Sequence, residues 1–155
     1  MPENILILGL GNDILTDDAI GPKLVMEIQN EIHRPDIDFL TVPVGGMDLL
    51  EMISPYQRII ILDAIRTRDG KAGEVYSFTT RNFKETLHLS SFHDLTFLTA
   101  LEFAESVNMP VPEVINIIAV EIVDDLTFSN CFSPELQEKF PEIRKTVFAL
   151  VAELI

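Results

Sequence analysis

The chain has 155 residues and a mass of 17.4 kDa, the size of one ordinary domain, and such a domain buries roughly 70% of its unfolded surface. A composition of 47% hydrophobic and 23% charged residues excludes intrinsic disorder, and a single cysteine, Cys131, excludes an internal disulfide and a cysteine-rich zinc site. Acids outnumber bases by 25 to 11, for a formal charge of −14, and no Lys or Arg falls between Glu85 and Glu138; this excludes nucleic acids and anionic membranes, which are bound by clustered cations.

Ile5-Leu6-Ile7-Leu8 is apolar on both faces and is stopped by Gly9, as in a strand covered by helices on both sides. The run is too short for a signal peptide or a membrane span, so a cytoplasmic, soluble protein is expected. From Ile20, the residues Leu24, Ile28 and Ile32 recur every four positions with Val25 beside them, one stripe of a helix. Asp17 or Asp18 is suited to cap it, with Pro22 in its first turn.

Asp38 to Val42 reads as a second strand, and Gly45-Gly46 followed by Met47, Leu49, Leu50 and Ile53 as a turn into a short helix. Ile59-Ile60-Ile61-Leu62 is a third buried strand, ending at Asp63. Asp69-Gly70 marks a turn before an edge strand over Glu74 to Phe78. Ser91-Phe92-His93-Asp94 has the spacing of a capping box, and Leu95, Leu98 and Leu101 form the face of the helix it opens. Val114 to Val120 is a further β-rich run. Ser133-Pro134-Glu135 opens a last helix in the order cap, proline, acid. Pro141 is expected to restart that helix, since an interior proline breaks one. Its stripe is Ile143, Val147, Leu150 and Leu154.

No repeat or linker divides the chain, so residues 1–155 read as one domain. Alternating strands and helices predict an α/β fold, a twisted and mainly parallel sheet flanked by helices on both faces as three layers. Ligands of such sheets sit beyond the carboxyl ends of the strands, which directs attention to the segments after Leu8, Val42 and Leu62.

Gly9-Leu10-Gly11-Asn12 follows a strand in the manner of a dinucleotide fingerprint, but the third glycine position is Ile14. Asp17-Asp18 would also repel a pyrophosphate there. No Gly-Lys-Ser/Thr follows, so the chain has no P-loop. The glycines are read as giving the loop room to turn.

Asp17 and Asp18 both suit a helix N-terminus, yet one aspartate suffices for a cap, which leaves the other for different work. Asp63 closes an aliphatic strand, where a carboxylate is costly unless it is paired, caps a turn or binds a metal. His93 falls in the first turn of a helix, whose positive end favours the neutral imidazole that binds metals; the plain alternative is a surface histidine. His33 and His88 have no comparable position. Two carboxylates and one imidazole suit a divalent metal with coordination positions left open. Cys131, without a partnered histidine, is read as structural rather than nucleophilic.

The segment from Gly9 to Gly21, GLGNDILTDDAIG, closely resembles the opening motif of the hydrogenase maturation endopeptidases, which runs Gly-x-Gly-Asn, a spacer, Asp-Asp/Glu and a nearby Gly. Gly46-Met47-Asp48-Leu49-Leu50, the strand ending in Asp63-Ala64, and His93 before a helix follow in the family's order. The resemblance covers nearly the whole chain. It implies an endopeptidase that removes the C-terminal extension of a [NiFe] hydrogenase large-subunit precursor after nickel insertion, recognising the bound nickel. It implies that the metal contacts fall on Asp18, Asp63 and His93. The nickel is then supplied by the precursor, and other divalent metals can stand in for it.

Two stretches depart from the family pattern. Val42-Pro43-Val44 stands where many members have Gly-Gly-Thr, and Ala119 to Val123 where many have Gly-x-x-Pro-Glu. Both bear on which large subunit is cut. Two other expectations stay open: a non-catalytic α/β module holding a nucleotide or a partner protein, and a peptidase of the same fold acting on another precursor.

Overall fold

The computed structural model describes residues 4–43, 47–80 and 92–155, with the backbone alone for residue 47 and residues 92–98. Strand β1 (Ile5–Leu10) leads through a 3-10 turn (Thr16–Ala19) into helix α1 (Ile20–Glu31) and strand β2 (Ile37–Val42). Helix α2 (Met47–Ile53), strand β3 (Arg58–Ile65), strand β4 (Val75–Thr79), helix α3 (Phe92–Ser106), strand β5 (Val114–Glu121) and helix α4 (Pro134–Leu154) follow.

The strands lie in the order β2-β1-β3-β5-β4. The first four are parallel, and β4 is antiparallel to β5 at one edge. Alternate strand residues serve opposite faces. Ile5 and Ile7 of β1 and Ile60 and Leu62 of β3 join Leu24 and Ile28 of α1 and Ile143, Val147 and Val151 of α4 in one core. Leu6, Leu8 and Leu10, with Ile59 and Ile61, join Leu50 and Ile53 of α2 and Leu101 and Ala104 of α3 in the other. This is the three-layer α/β architecture expected. Among the described residues, no helix is long and apolar enough to cross a membrane.

The last helix departs from expectation. It runs unbroken through Pro141. The amide that proline lacks would have met the carbonyl of Gln137, and both residues are exposed, so the lost bond falls on the solvent side of the helix, where it costs least. The buried stripe is Leu136, Ile143, Val147 and Val151, with Leu150 and Leu154 at its margin. The start of the helix is as expected: Pro134 is its first residue, and the Ser133 hydroxyl accepts from the Leu136 amide. Gly45-Gly46 and Ser91 lie outside the described residues, so neither the turn into α2 nor the capping box is described.

Candidate active site at the carboxyl end of the sheet

The chain leaves β1 for β2 on one side and returns through α2 to β3 on the other. Helices α1 and α2 pack on opposite faces, so their connections part at the carboxyl ends of β1 and β3. That parting is the topological switch point, where ligands of open α/β sheets bind.

Two glycines bring the opening motif down onto this point. A Cβ on Gly21 would stand 2.4 Å from the Leu62 carbonyl oxygen and 2.6 Å from that of Leu10, so only glycine lets α1 begin against both strand ends. Gly11 has φ of +146°, and a Cβ there would stand 2.0 Å from the Asp18 carbonyl oxygen. The motif therefore serves close backbone approach, in keeping with the reading of its glycines as room for a turn.

Asp17 and Asp18 lie in the 3-10 turn and neither caps α1, whose N-cap is Ala19 without a side-chain bond. The cap expected there is replaced by two other uses. Asp17 is 0% exposed and accepts from the amides of Val123 (3.1 Å), Asp124 (3.0 Å) and Ser133 (2.7 Å) and from the Ser133 hydroxyl (2.8 Å). It clasps the segment that follows β5 to the opening motif. Asp18, buried, accepts from the Asn12 amide at 2.8 Å, and the turn that carries it packs against β3.

Asp63 does not end its strand. β3 continues to Ile65 because its pairing with β5 continues, Asp63 opposite Ala119 and Ile65 opposite Glu121. Its pairing with β1 stops at Leu62 opposite Gly9. Asp63 is thus the first β3 residue past the pairing with β1, and it is 2% exposed. It shares the face of Ile61 and Ile65, the one covered by α2 and α3, and accepts from the Ala64 amide at 2.8 Å. Two buried carboxylates, Asp18 and Asp63, are thereby carried to one end of the sheet. Their chemistry fits a hard or borderline divalent cation.

His93 is in the first turn of α3, as expected, and its side chain lies outside the described residues. Helix α3 leads into the start of β5, so its first turn stands at the carboxyl end of the parallel strands. Among the described residues, no group of three His, Cys, Asp or Glu side chains forms a metal cluster.

One buried acid escaped the sequence reasoning. Glu121 is 2% exposed at the end of β5 and accepts from the amide (2.8 Å) and hydroxyl of Thr67, with the Tyr76 hydroxyl at 3.3 Å. Burial, then its bond to Glu74, holds the Tyr76 phenol well above its ordinary value, so Tyr76 stays a donor. The available signal was the one used for Asp63, a carboxylate closing an aliphatic run. Cys131, expected to be structural, is exposed.

Fold and acids together define a three-layer α/β domain with two buried carboxylates, Asp18 and Asp63, at the carboxyl end of its sheet. The family model for hydrogenase maturation protease (HycI) matches residues 22–150, and the chain belongs to that family. The hydrogenase 2 maturation protease of Escherichia coli is 37% identical over 70 residues, 44% of this chain and 43% of that one, so the alignment spans less than half of the relative. The solved hydrogenase maturating endopeptidase HybD of E. coli superposes with a TM-score of 0.79 at 24% identity, over 97% of this chain and 93% of that one. HybD from Thermococcus kodakarensis, a [NiFe] hydrogenase maturation protease, does so with 0.74 at 23% identity, over 95% and 98%. At these identities the two structures establish the fold.

Proposed function

We propose that the protein is an endopeptidase that removes the C-terminal extension of a [NiFe] hydrogenase large-subunit precursor once nickel is in place. The observation that carries this reading is the delivery of Asp18 and Asp63 to the switch point in a chain of the hydrogenase maturation protease family. In this reading the nickel is part of the substrate. Asp18, Asp63 and His93 contact it, and their contact sets which peptide bond lies in the crevice. A divalent ion at that place can polarise the scissile carbonyl.

Asp63 is the general base of the proposed reaction. It takes a proton from the attacking water as the water oxygen bonds to the carbonyl carbon. The C–N bond then breaks, and the proton passes to the leaving amine. The low-dielectric surroundings of Asp63, aliphatic on the strand before it, strengthen its interaction with a cation or a water proton.

The test is incubation with precursor in nickel-loaded and nickel-free forms, read by mass. The loaded form is shortened and the free form survives. Equal shortening of both contradicts nickel recognition, and survival of both contradicts the endopeptidase.

A further inference from the structure

Large apolar side chains stand out of the loops beside the crevice. Leu126 is 80% exposed, Phe128 78%, Ile14 51% and Val123 39%. Among the described residues, the other exposed large hydrophobics, Met26, Met52, Phe103, Val107 and Val114, are spread over α1, α2, the end of α3 and the start of β5. Scattered apolar residues are ordinary on a surface, whereas a group on one ordered rim marks a contact.

The rim is ordered by many bonds. The Ser129 amide donates to the Ile14 carbonyl at 2.9 Å, the Thr16 amide to the Ser129 carbonyl at 3.1 Å, and the Thr16 hydroxyl to the Thr127 carbonyl. Leu15 and Ser129 form a β-bridge. Asp17 holds the amides of Val123 and Asp124, and Asp124 holds those of Leu126 and Thr127 at 2.9 and 3.0 Å. A loop tied at this many points presents Leu126 and Phe128 to water in a set arrangement.

We propose that Ile14, Val123, Leu126 and Phe128 are the surface on which the folded body of the large-subunit precursor docks. The inference rests on the function proposed above and adds to it the contact that selects the substrate. The occupant follows from continuity: Ile14 is four residues before Asp18, and the 123–128 loop is clasped to the same turn by Asp17. A protein whose C-terminal segment reaches Asp18 lies next to this rim. The rim also carries the exposed acid Asp13 beside Ile14, and Asp125 beside Leu126 is paired with Arg66 at 3.0 Å, in a chain of formal charge −14. The complementary face therefore has an apolar centre flanked by Lys or Arg.

The test is the double variant Leu126→Ser/Phe128→Ser, with Met26→Ser on α1 as the control. Both mutated rim side chains are solvent-exposed, so the melting temperature stays at the wild-type value. Affinity for nickel-loaded precursor, measured by surface plasmon resonance, falls about tenfold or more in the double variant, KM rises with it, and the control matches wild type. Wild-type affinity in the double variant overturns the proposal while the endopeptidase reading stands. So does a wild-type dimer that the double variant makes monomeric without loss of precursor binding, since the occupant is then a second copy. A wild type that neither binds nor cuts the precursor removes the function reading and this inference with it.

Discussion

At the amino end of the sheet, Ile5, Ile37, Ile59 and Ile115 stand buried near the starts of β1, β2, β3 and β5, and charges such as the Arg34–Asp36 pair stay at the surface. At the carboxyl end, the same strands deliver Asp17, Asp18, Asp63 and Glu121 to buried positions, all the buried charged side chains among the described residues. Burying a carboxylate is costly without donors or a cation, so four at one end need separate reasons. Asp17 and Glu121 tie distant segments together, Asp17 to residues 123–133 and Glu121 to Thr67. Asp18 and Asp63 accept from amides near in sequence and stand at the crevice between β1 and β3. The comparison separates the acids that tie the carboxyl end together from the two for which we propose a role in the reaction.

The largest way to break that division is Asp17→Ala. It strands the buried Ser133 amide and hydroxyl and the part-buried amides of Val123 and Asp124, and about 3–5 kcal/mol of unfolding free energy is lost in urea titration. Gly21→Ala follows, at about 2–3 kcal/mol, because its Cβ meets two strand carbonyls that packing holds in place. Glu121→Gln keeps the shape and removes the charge from its bonds to Thr67, for a loss of about 1–2 kcal/mol by the same titration.

The smallest effect is one of pH. The Thr127 side chain, then the Leu126 and Thr127 amides, hold Asp124 below the ordinary value of 3.8. A lowered carboxylate supports its loop fully above its unfolded value and loses that support as pH falls through the folded one. The protection factors of the Leu126 and Thr127 amides, read by NMR against the intrinsic exchange rate at each pH, therefore hold at neutral pH and fall only in acid below about pH 4.

Much of this was legible in the sequence. Aliphatic runs gave β1, β3 and β5, and four-residue recurrence gave α1, because those patterns reflect burial on both faces or on one stripe. Asp18 and Asp63 were legible as acids at strand and helix boundaries. The use of Asp17 was not, since its partners lie 106 to 116 residues away and no local pattern encodes them. The inner position of Asp63 depended on how far β5 pairs, a tertiary fact. Pro141 misled because local sterics predict a break, and solvent at Gln137 removes part of the cost.

The central claim is that Asp18 and Asp63 work while Asp17 and Glu121 build. The most direct measurement is the cleavage rate of nickel-loaded precursor by Asp63→Asn, with its melting temperature recorded beside it. The account predicts a rate lower by a factor of about 100 or more in a protein that melts close to wild type. A wild-type rate in a folded Asp63→Asn protein contradicts it.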